Sequence, residues 1–489
     1  MKKLFHLYFG LIVFCLFGFH NVLAQTIFPF PQQLCSPNGD IDCNGRVNGA
    51  DYFYSLFHRG KNTFGADLDG DGVVTVSDTY KLLQQYGETK DIVPSKDVLI
   101  VIDSTVYSQI STDISTLISD VKQTLGITVR TIAFSNIKTL SPLTIRERLQ
   151  QECGTISETG CENIEGVIFV GDVPYEKYFS IYGTTTYEDA PFMYYYEDLD
   201  ATFAKGSSGY YEGYATMGNY DGPEIYSAWI PTLIYDNKDN IGAVTVNPRS
   251  EVEQLHQYFA KHHRFFSKQV VPKPDILIAN HAPIISSPLQ PTDLLYLYGA
   301  SHITTIAPNI TDNLYPLIPS LDAALETMPE FAYLHSHGSP VDIYIKLPDS
   351  FLSLSGLPLI AFSWGCNNGN FDGVFHNSSV ALSFIHGKDL GLSYYAKLHS
   401  EDMHIPNLVF SQQNDFFRYW NKGNYLGKIY LETSRNLRSV IDYVDARDNQ
   451  KITINNFYRM SGPMQRIIIG SPFVYSPSIR DKYSRELLP

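Results

Sequence analysis

Two short segments hold residues whose types and setting suit nucleophilic chemistry. LPLIAFSWGCNNGNF runs from Leu357 to Phe371 and carries Cys366, and FAYLHSHGSP runs from Phe331 to Pro340 and carries His337. Each is an apolar run of strand length that breaks off at small and polar residues, with the reactive side chain at the break. A thiol is a weak nucleophile at neutral pH until a base or cation lies within hydrogen-bond reach, so the fold must bring the histidine to it. Two parallel strands ending side by side would do that, because ligand-binding loops leave open α/β sheets at the carboxyl ends of their strands. Gly338 after the histidine and Gly365 before the cysteine would admit a substrate backbone, and nearby backbone N–H groups could hold an oxyanion. The plainer alternative is a buried, inert thiol and a turn histidine. Both residues at strand ends, both flanked by glycine, favour catalysis. His335, two residues away on the same strand face, is an alternative base without the following glycine.

A second kind of chemistry sits near the start of the chain. DIDCNGRVNGAD offers oxygen ligands through Asp40, Asp42, Asn44, Asn48 and Asp51, and DLDGDGVVTVSD does so through Asp67, Asp69, Asp71, Thr75 and Asp78. Position seven of each loop would contribute a backbone carbonyl, from Arg46 and Val73, and Gly45 and Gly72 stand at the sharp turn. This is the ligand spacing with which EF-hand loops wrap calcium in hard oxygens, and its repetition argues against a chance acidic turn. Position twelve is Asp rather than Glu. Each loop leads into a short helix, with Tyr52, Phe53, Leu56 and Phe57 apolar in the first and Tyr80, Leu82, Leu83 and Tyr86 in the second.

The elements that would position these groups alternate. VLIVID from Val98 is a buried strand; Ile110, Ile114, Leu117, Ile118, Val121 and Leu125 then recur at helical spacing until Gly126 stops the helix. Further strands are expected at ITVRTIAF, at Val167 to Val170, at DILIAN and at TTIAPN, with helices from Ser141 and Ser250. Strand and helix in alternation predict an α/β fold with a mostly parallel sheet, preceded by a small all-α calcium-binding module. Tyr187 to Tyr220, rich in Tyr, Gly, Asp and Glu without clear period, is expected to be an irregular loop region. On the helix after Ser250, His262 reads as helix surface or core rather than as a ligand.

Composition bounds the rest. The chain has 489 residues, 44% hydrophobic and 18% charged, enough for about three compact units of a globular protein. Residues 1–24 have the charged start, short apolar run and small-residue end of a secretory signal, and no later stretch is long and apolar enough to span a bilayer. The formal net charge is −15, and losing Lys2 and Lys3 makes it more negative, which disfavours nucleic acid and anionic lipid as partners. Of 6 cysteines, Cys15 lies in the signal. In an oxidising compartment Cys35 with Cys43, and Cys153 with Cys161, read as local disulfides, leaving Cys366. A bridge from Cys366 to another chain is the competing reading.

The histidine-glycine pair after one hydrophobic strand and the cysteine after the next resemble the arrangement in clan CD cysteine peptidases, which include caspases, legumains, clostripain and gingipains. CNNGNF, Cys366 to Phe371, is similar to the C-x-x-G-x-F segment of the gingipain family. VIFVGDVP, YYYEDLDATF, PEIYSAWIP and IIIGSPF agree in order and spacing, so the likeness spans Asp97 to Phe473. It implies a caspase-like fold of two α/β subdomains, 97–236 and 249–480. It also implies roles: Cys366 attacks the scissile carbonyl, His337 protonates the leaving amine, the N–H groups of Gly338 and Cys366 form the oxyanion hole, and Glu224 orients the histidine. Ala228-Trp229 departs from the family's frequent Gly-Arg. The duplicated loops, within 37–88, resemble a type I dockerin, which implies two calcium ions and a cohesin-type scaffold partner. Cys43 departs from that pattern at loop position four.

These expectations add up to a secreted, extracellular or cell-surface-attached cysteine endopeptidase acting on protein or peptide. The alternative is a catalytically idle calcium-binding protein that keeps the peptidase fold for protein–protein interaction.

Overall fold

The computed structural model describes residues 55, 59–60, 66–68, 73–84, 96–157, 160–182, 186–206, 209–216, 222–233, 250–280, 298–306, 318–335, 338–339, 342–343, 348–363, 368–371, 379–397, 416, 420, 424–436 and 466–480. The chain divides into two compact units, the first covering 1–93 and the second 94–488.

In the first unit, helix α1 spans Val76–Gln84. Thr75 precedes it as a cap, its Oγ1 accepting the Ser77 N–H at 3.1 Å. Three residues on, the Asp78 carboxylate returns the favour by accepting the Thr75 N–H at 2.6 Å. That reciprocal pattern is a capping box and fixes where the helix starts. The apolar residues do not share one face as expected. Leu82 is fully buried, whereas Tyr80 and Leu83 point outward with Val76.

The second unit opens with β1 (Asp97–Asp103), whose interior is buried on both faces, as a strand covered by helices on both sides requires. Helix α2 (Ser104–Leu125) follows, capped by the Asp103 carboxylate on the Thr105 N–H. It ends at Gly126 in the left-handed conformation, and it buries Val106, Ile110, Ile114, Leu117 and Val121. Next come β2 (Val129–Phe134) and α3 (Pro142–Cys153), the latter capped by Ser141 and opened by a proline suited to the first turn. The two-residue strands β3 (Ile156–Ser157) and β4 (Gly160–Cys161) form a hairpin that the Cys153–Cys161 disulfide ties to the end of α3. β5 is Ile164–Val170.

Four strands then form a sheet of their own: β6 (Lys177–Tyr182), β7 (Thr186–Pro191), β8 (Thr202–Lys205) and β9 (Tyr211–Thr216), in the order β7-β6-β9-β8. A short helix, α4 (Tyr194–Glu197), interrupts them. This corrects the expectation of irregular loop for Tyr187 to Tyr220. Phe192, Tyr195, Phe203 and Tyr211 pack ring to ring, which gives the small sheet its own apolar side.

The chain continues through β10 (Tyr226–Ile230), α5 (Glu251–Phe266), β11 (Lys273–Asn280), β12 (Ile303–Ile306), α6 (Ile318–Glu326) and β13 (Pro329–His335). After these come β14 (Gly338–Ser339), β15 (Asp342–Ile343), α7 (Pro348–Ser353), β16 (Ile360–Ser363), α8 (Val380–Ile385), β17 (Ser393–Lys397), α9 (Leu426–Asn436) and β18 (Arg466–Gly470).

The central sheet has ten strands in the order β12-β11-β13-β16-β17-β18-β10-β5-β1-β2. Every neighbouring pair is parallel except β17 with β18. The fold is therefore α/β with a large, mostly parallel sheet, in which two sets of strands run in opposite directions and meet at one antiparallel seam. Residues 466–470 join the set built from 97–230, so the sheet is continuous across both expected subdomains. Among the described residues no helix is long and apolar enough to cross a membrane.

Candidate active site

The two reactive segments flank a single strand pairing. β13 and β16 are adjacent and parallel, with Phe331 opposite Ile360, Ala332 opposite Ala361, Tyr333 opposite Phe362 and Leu334 opposite Ser363. Both strands therefore stop at the same edge of the sheet. On one face Tyr333 stacks on Phe362 at 5.6 Å, and Phe362 meets Tyr395 at 4.9 Å and Phe416 at 5.0 Å. These rings fix the ends of both strands through buried aromatic area.

His337 falls between His335, which ends β13, and Gly338, which begins β14 and pairs with Ile343 of β15. Cys366 falls between Ser363, which ends β16, and Asn368. Cys366 and His337 themselves lie outside the described residues. What brackets Cys366 is well anchored. The Ser363 hydroxyl donates to Asn368 Oδ1 at 2.8 Å, and Asn368, Asn370 and Phe371 are all buried. Phe371 packs against Tyr175 at 5.5 Å and Trp229 at 5.9 Å, so the Trp that departs from the family pattern anchors the segment after the cysteine.

Because β17 and β18 are antiparallel, the edge where β13 and β16 end is also the edge where β18, β10 and β5 begin. Glu224 lies just before β10 on that edge, three strand steps from β16 and four from β13, about 14 and 19 Å at the usual strand spacing. Its carboxylate accepts the Leu199 N–H at 2.5 Å, its backbone N–H donates to Glu197 O at 2.9 Å, and its carbonyl accepts from Arg435 at 2.9 Å. The described partners of Glu224 are thus the 197–200 segment and Arg435, and they lend no support to an orienting role at the end of β13.

Asp198, Asp200 and Glu224 bring one carboxylate oxygen each to within 4.8 Å of one another. Buried Arg146 shapes this corner: Nε donates to Tyr195 O at 2.7 Å, and Nη2 donates to Asp198 O at 2.8 Å and Ala201 O at 2.7 Å. Burial, then the nearby Asp198 charge, pushes Glu224 up to about 8.

Two further charged groups on this edge had no mark in the sequence. Glu197 is buried and accepts from the Ser227 hydroxyl at 2.5 Å and the Tyr430 hydroxyl at 2.9 Å, and burial pushes it up to about 7. Buried Arg466 opens β18 with its guanidinium 5.7 Å from the Phe362 ring centre and 5.6 Å from that of Tyr395. His262, by contrast, is a core residue as its helix phase suggests: Nε2 bonds Ser471 Oγ at 3.0 Å, and burial holds the ring neutral, with its pKa lowered to about 3.

In the first unit, Asp67, Val73, Thr75 and Asp78 of the second expected calcium loop are among the described residues. Asp69, Asp71 and the whole first loop (Asp40, Asp42, Asn44, Arg46, Asn48 and Asp51) lie outside them. Asp78 is fully buried. Oδ1 accepts the Leu68 N–H at 2.5 Å, while Oδ2 accepts the Thr75 N–H at 2.6 Å and the Thr75 hydroxyl at 3.1 Å. One carboxylate thereby ties position two of the expected loop to position nine. Ser55 and Thr79 share a hydrogen bond at 2.9 Å, linking the segment after the first loop to α1.

Of the cysteines, Cys153 and Cys161 are bridged, as their spacing suggested, and Cys35 and Cys43 lie outside the described residues. Neither models of known families nor curated proteins gave a match to this chain.

Proposed function

We propose that this chain is a secreted cysteine endopeptidase of the gingipain type, with a caspase-like catalytic unit and an N-terminal calcium-binding module of dockerin type. The observation that carries the reading is the pairing of β13 with β16. Leu334 and Ser363 are opposite one another, and His337 and Cys366 each follow three residues later, so both are delivered from the same edge by neighbouring strands. The Ser363 to Asn368 hydrogen bond supports a closed turn about the nucleophile.

In the proposed reaction the Cys366 thiolate adds to the scissile carbonyl. The oxyanion is held by the N–H groups of Gly338 and Cys366, worth about 3 kcal/mol per donor. His337 gives its proton to the leaving amine, and water then releases the acyl group and regenerates the thiol.

The calcium reading draws on Asp78 and the loop it closes, together with the repeated ligand spacing. The cohesin-type scaffold partner draws on an exposed apolar stripe along α1: Val76 is 64% exposed, Tyr80 62% and Leu83 47%. The stripe serves equally the alternative of a catalytically idle interaction protein. One experiment separates the two. Calcium-loaded protein is treated with peptide acyloxymethyl ketones bearing Arg, Lys, Asn or Asp at P1, in wild type, Cys366→Ala and His337→Ala. Labelling lost in the first variant and slowed in the second supports the peptidase. No labelling of folded wild type by any probe sinks it.

A further inference from the structure

A cavity of about 370 Å³ opens between α5 and the turn that joins α8 to β17. It lies at the sheet edge opposite to the ends of β13 and β16. Leu233, three residues past β10, is in its wall, and Ser471, one residue past β18, binds α5 through His262. Ligands in open α/β sheets sit beyond the carboxyl ends of strands. The β17–β18 seam gives this sheet two such edges, and the cavity occupies the second.

The walls are held rigidly. Lys261 is 3% exposed, and its ammonium donates to the carbonyls of Ile385, Gly387 and Gly391 at 2.6, 3.0 and 3.3 Å. Gln254 is bonded in both directions to the backbone of Leu233, at 2.8 Å each way. His386 Nε2 bonds Pro231 O at 2.8 Å, which ties the turn to the end of β10. Arg264 pairs with Asp389 at 2.7 Å across the cavity mouth. The charges on this cavity are those of Lys261, Arg264 and Lys388 against Asp389 alone, with His386 and Tyr258 as the other titratable groups. The chain as a whole has 51 acidic and 36 basic residues, so a cationic cavity runs against its composition.

We propose that this cavity binds a small dianion, a dicarboxylate or a phosphate monoester, with Arg264 and Lys388 as its direct partners over the Lys261 floor. The volume is that of a small-molecule site. Burial, then the neighbouring Arg264 charge, lowers Lys261 to about 7. A bound anion counters the Arg264 charge and favours the charged ammonium, so binding takes up a proton and weakens as pH rises through 7.

The test is calorimetric titration of the full chain, calcium-loaded and at constant ionic strength, with succinate and with methyl phosphate. Arg264→Gln and Lys388→Gln are the cavity variants, and Lys273→Gln on β11 is the control. The expected result is one site for at least one probe, with affinity tenfold or more weaker in both cavity variants and unchanged in the control. Succinate, which is a dianion throughout this range, also binds more tightly at pH 7 than at pH 9. Binding of succinate alone or methyl phosphate alone identifies the class. No binding of either probe at millimolar concentration, or equal affinity in wild type and Lys388→Gln, overturns the proposal. Cys366 labelling is unaffected by either cavity variant, so this result and the peptidase test stand separately.

Discussion

The Ser363 hydroxyl reaches Asn368 Oδ1 at 2.8 Å, across the four residues that include Cys366. This contact joins the two described residues that bracket the segment with the thiol, and both partners are buried. Ser363→Ala removes it at a cost of about 1–3 kcal/mol, read from urea unfolding. The rate of Cys366 labelling by the preferred ketone should fall as well, because the turn loses its closure. Unchanged labelling with the expected loss of stability would show that the turn is fixed by other contacts.

Asp78 accepts from two backbone N–H groups and is also the last expected ligand of its loop. Asp78→Ala should reduce calcium stoichiometry from two ions to one in calorimetric titration. It should leave the melting of the second unit, which holds all 3 tryptophans of the chain and is followed through their fluorescence, in place. Loss of both ions would mean that the two loops bind as one cooperative unit.

Glu197 makes stability depend on pH with an unusual sign. Burial raises it from 4.5 to about 7 in the folded chain, so the folded state holds its proton over a range where the unfolded state has lost it. The contribution is full below about pH 4.5 and is lost as pH rises to about 7, on the order of 3 kcal/mol at most. Glu197→Gln should flatten the difference in urea midpoint between pH 5 and pH 7.5. An equal slope in wild type and variant would assign that pH dependence elsewhere.

The bridge between Cys153 and Cys161 closes a loop with a sequence separation of 8 residues. Chain-entropy arguments give a loop of this size about 2–3 kcal/mol. The double variant Cys153→Ala, Cys161→Ala should lose that much in denaturant unfolding, and wild type should become similarly weaker in dithiothreitol. A variant as stable as wild type would show that the hairpin is held by its packing alone.

Local pattern carried much of this fold. The stripe from Val106 to Val121, the cap at Asp103 and the stop at Gly126 are legible because a helix needs only neighbouring residues to declare itself. The ends of β13 and β16 read out for a related reason: apolar runs stop where small and polar residues begin. Strand order did not read out, because the pairing of β18 with β10 joins residues more than two hundred positions apart and leaves no local trace. The small sheet was hidden by tyrosine, which suits a strand and a loop surface equally well. Glu197 and Arg466 look in sequence like ordinary surface charges, and only packing against Tyr430, Phe362 and Tyr395 shows them to be buried. On α1, Tyr80 and Leu83 bear core-type side chains on an outward face, where hydrophobicity alone misleads.

The placement of β18 bears on how the protein is made. A ribosome releases β10 and β17 well before residues 466–470 exist, and until then two half-sheets each present a bare, apolar edge. No nascent fragment that stops short of Gly470 can complete the sheet, so the two half-sheets are joined late in synthesis, by the strand that lies between β17 and β10.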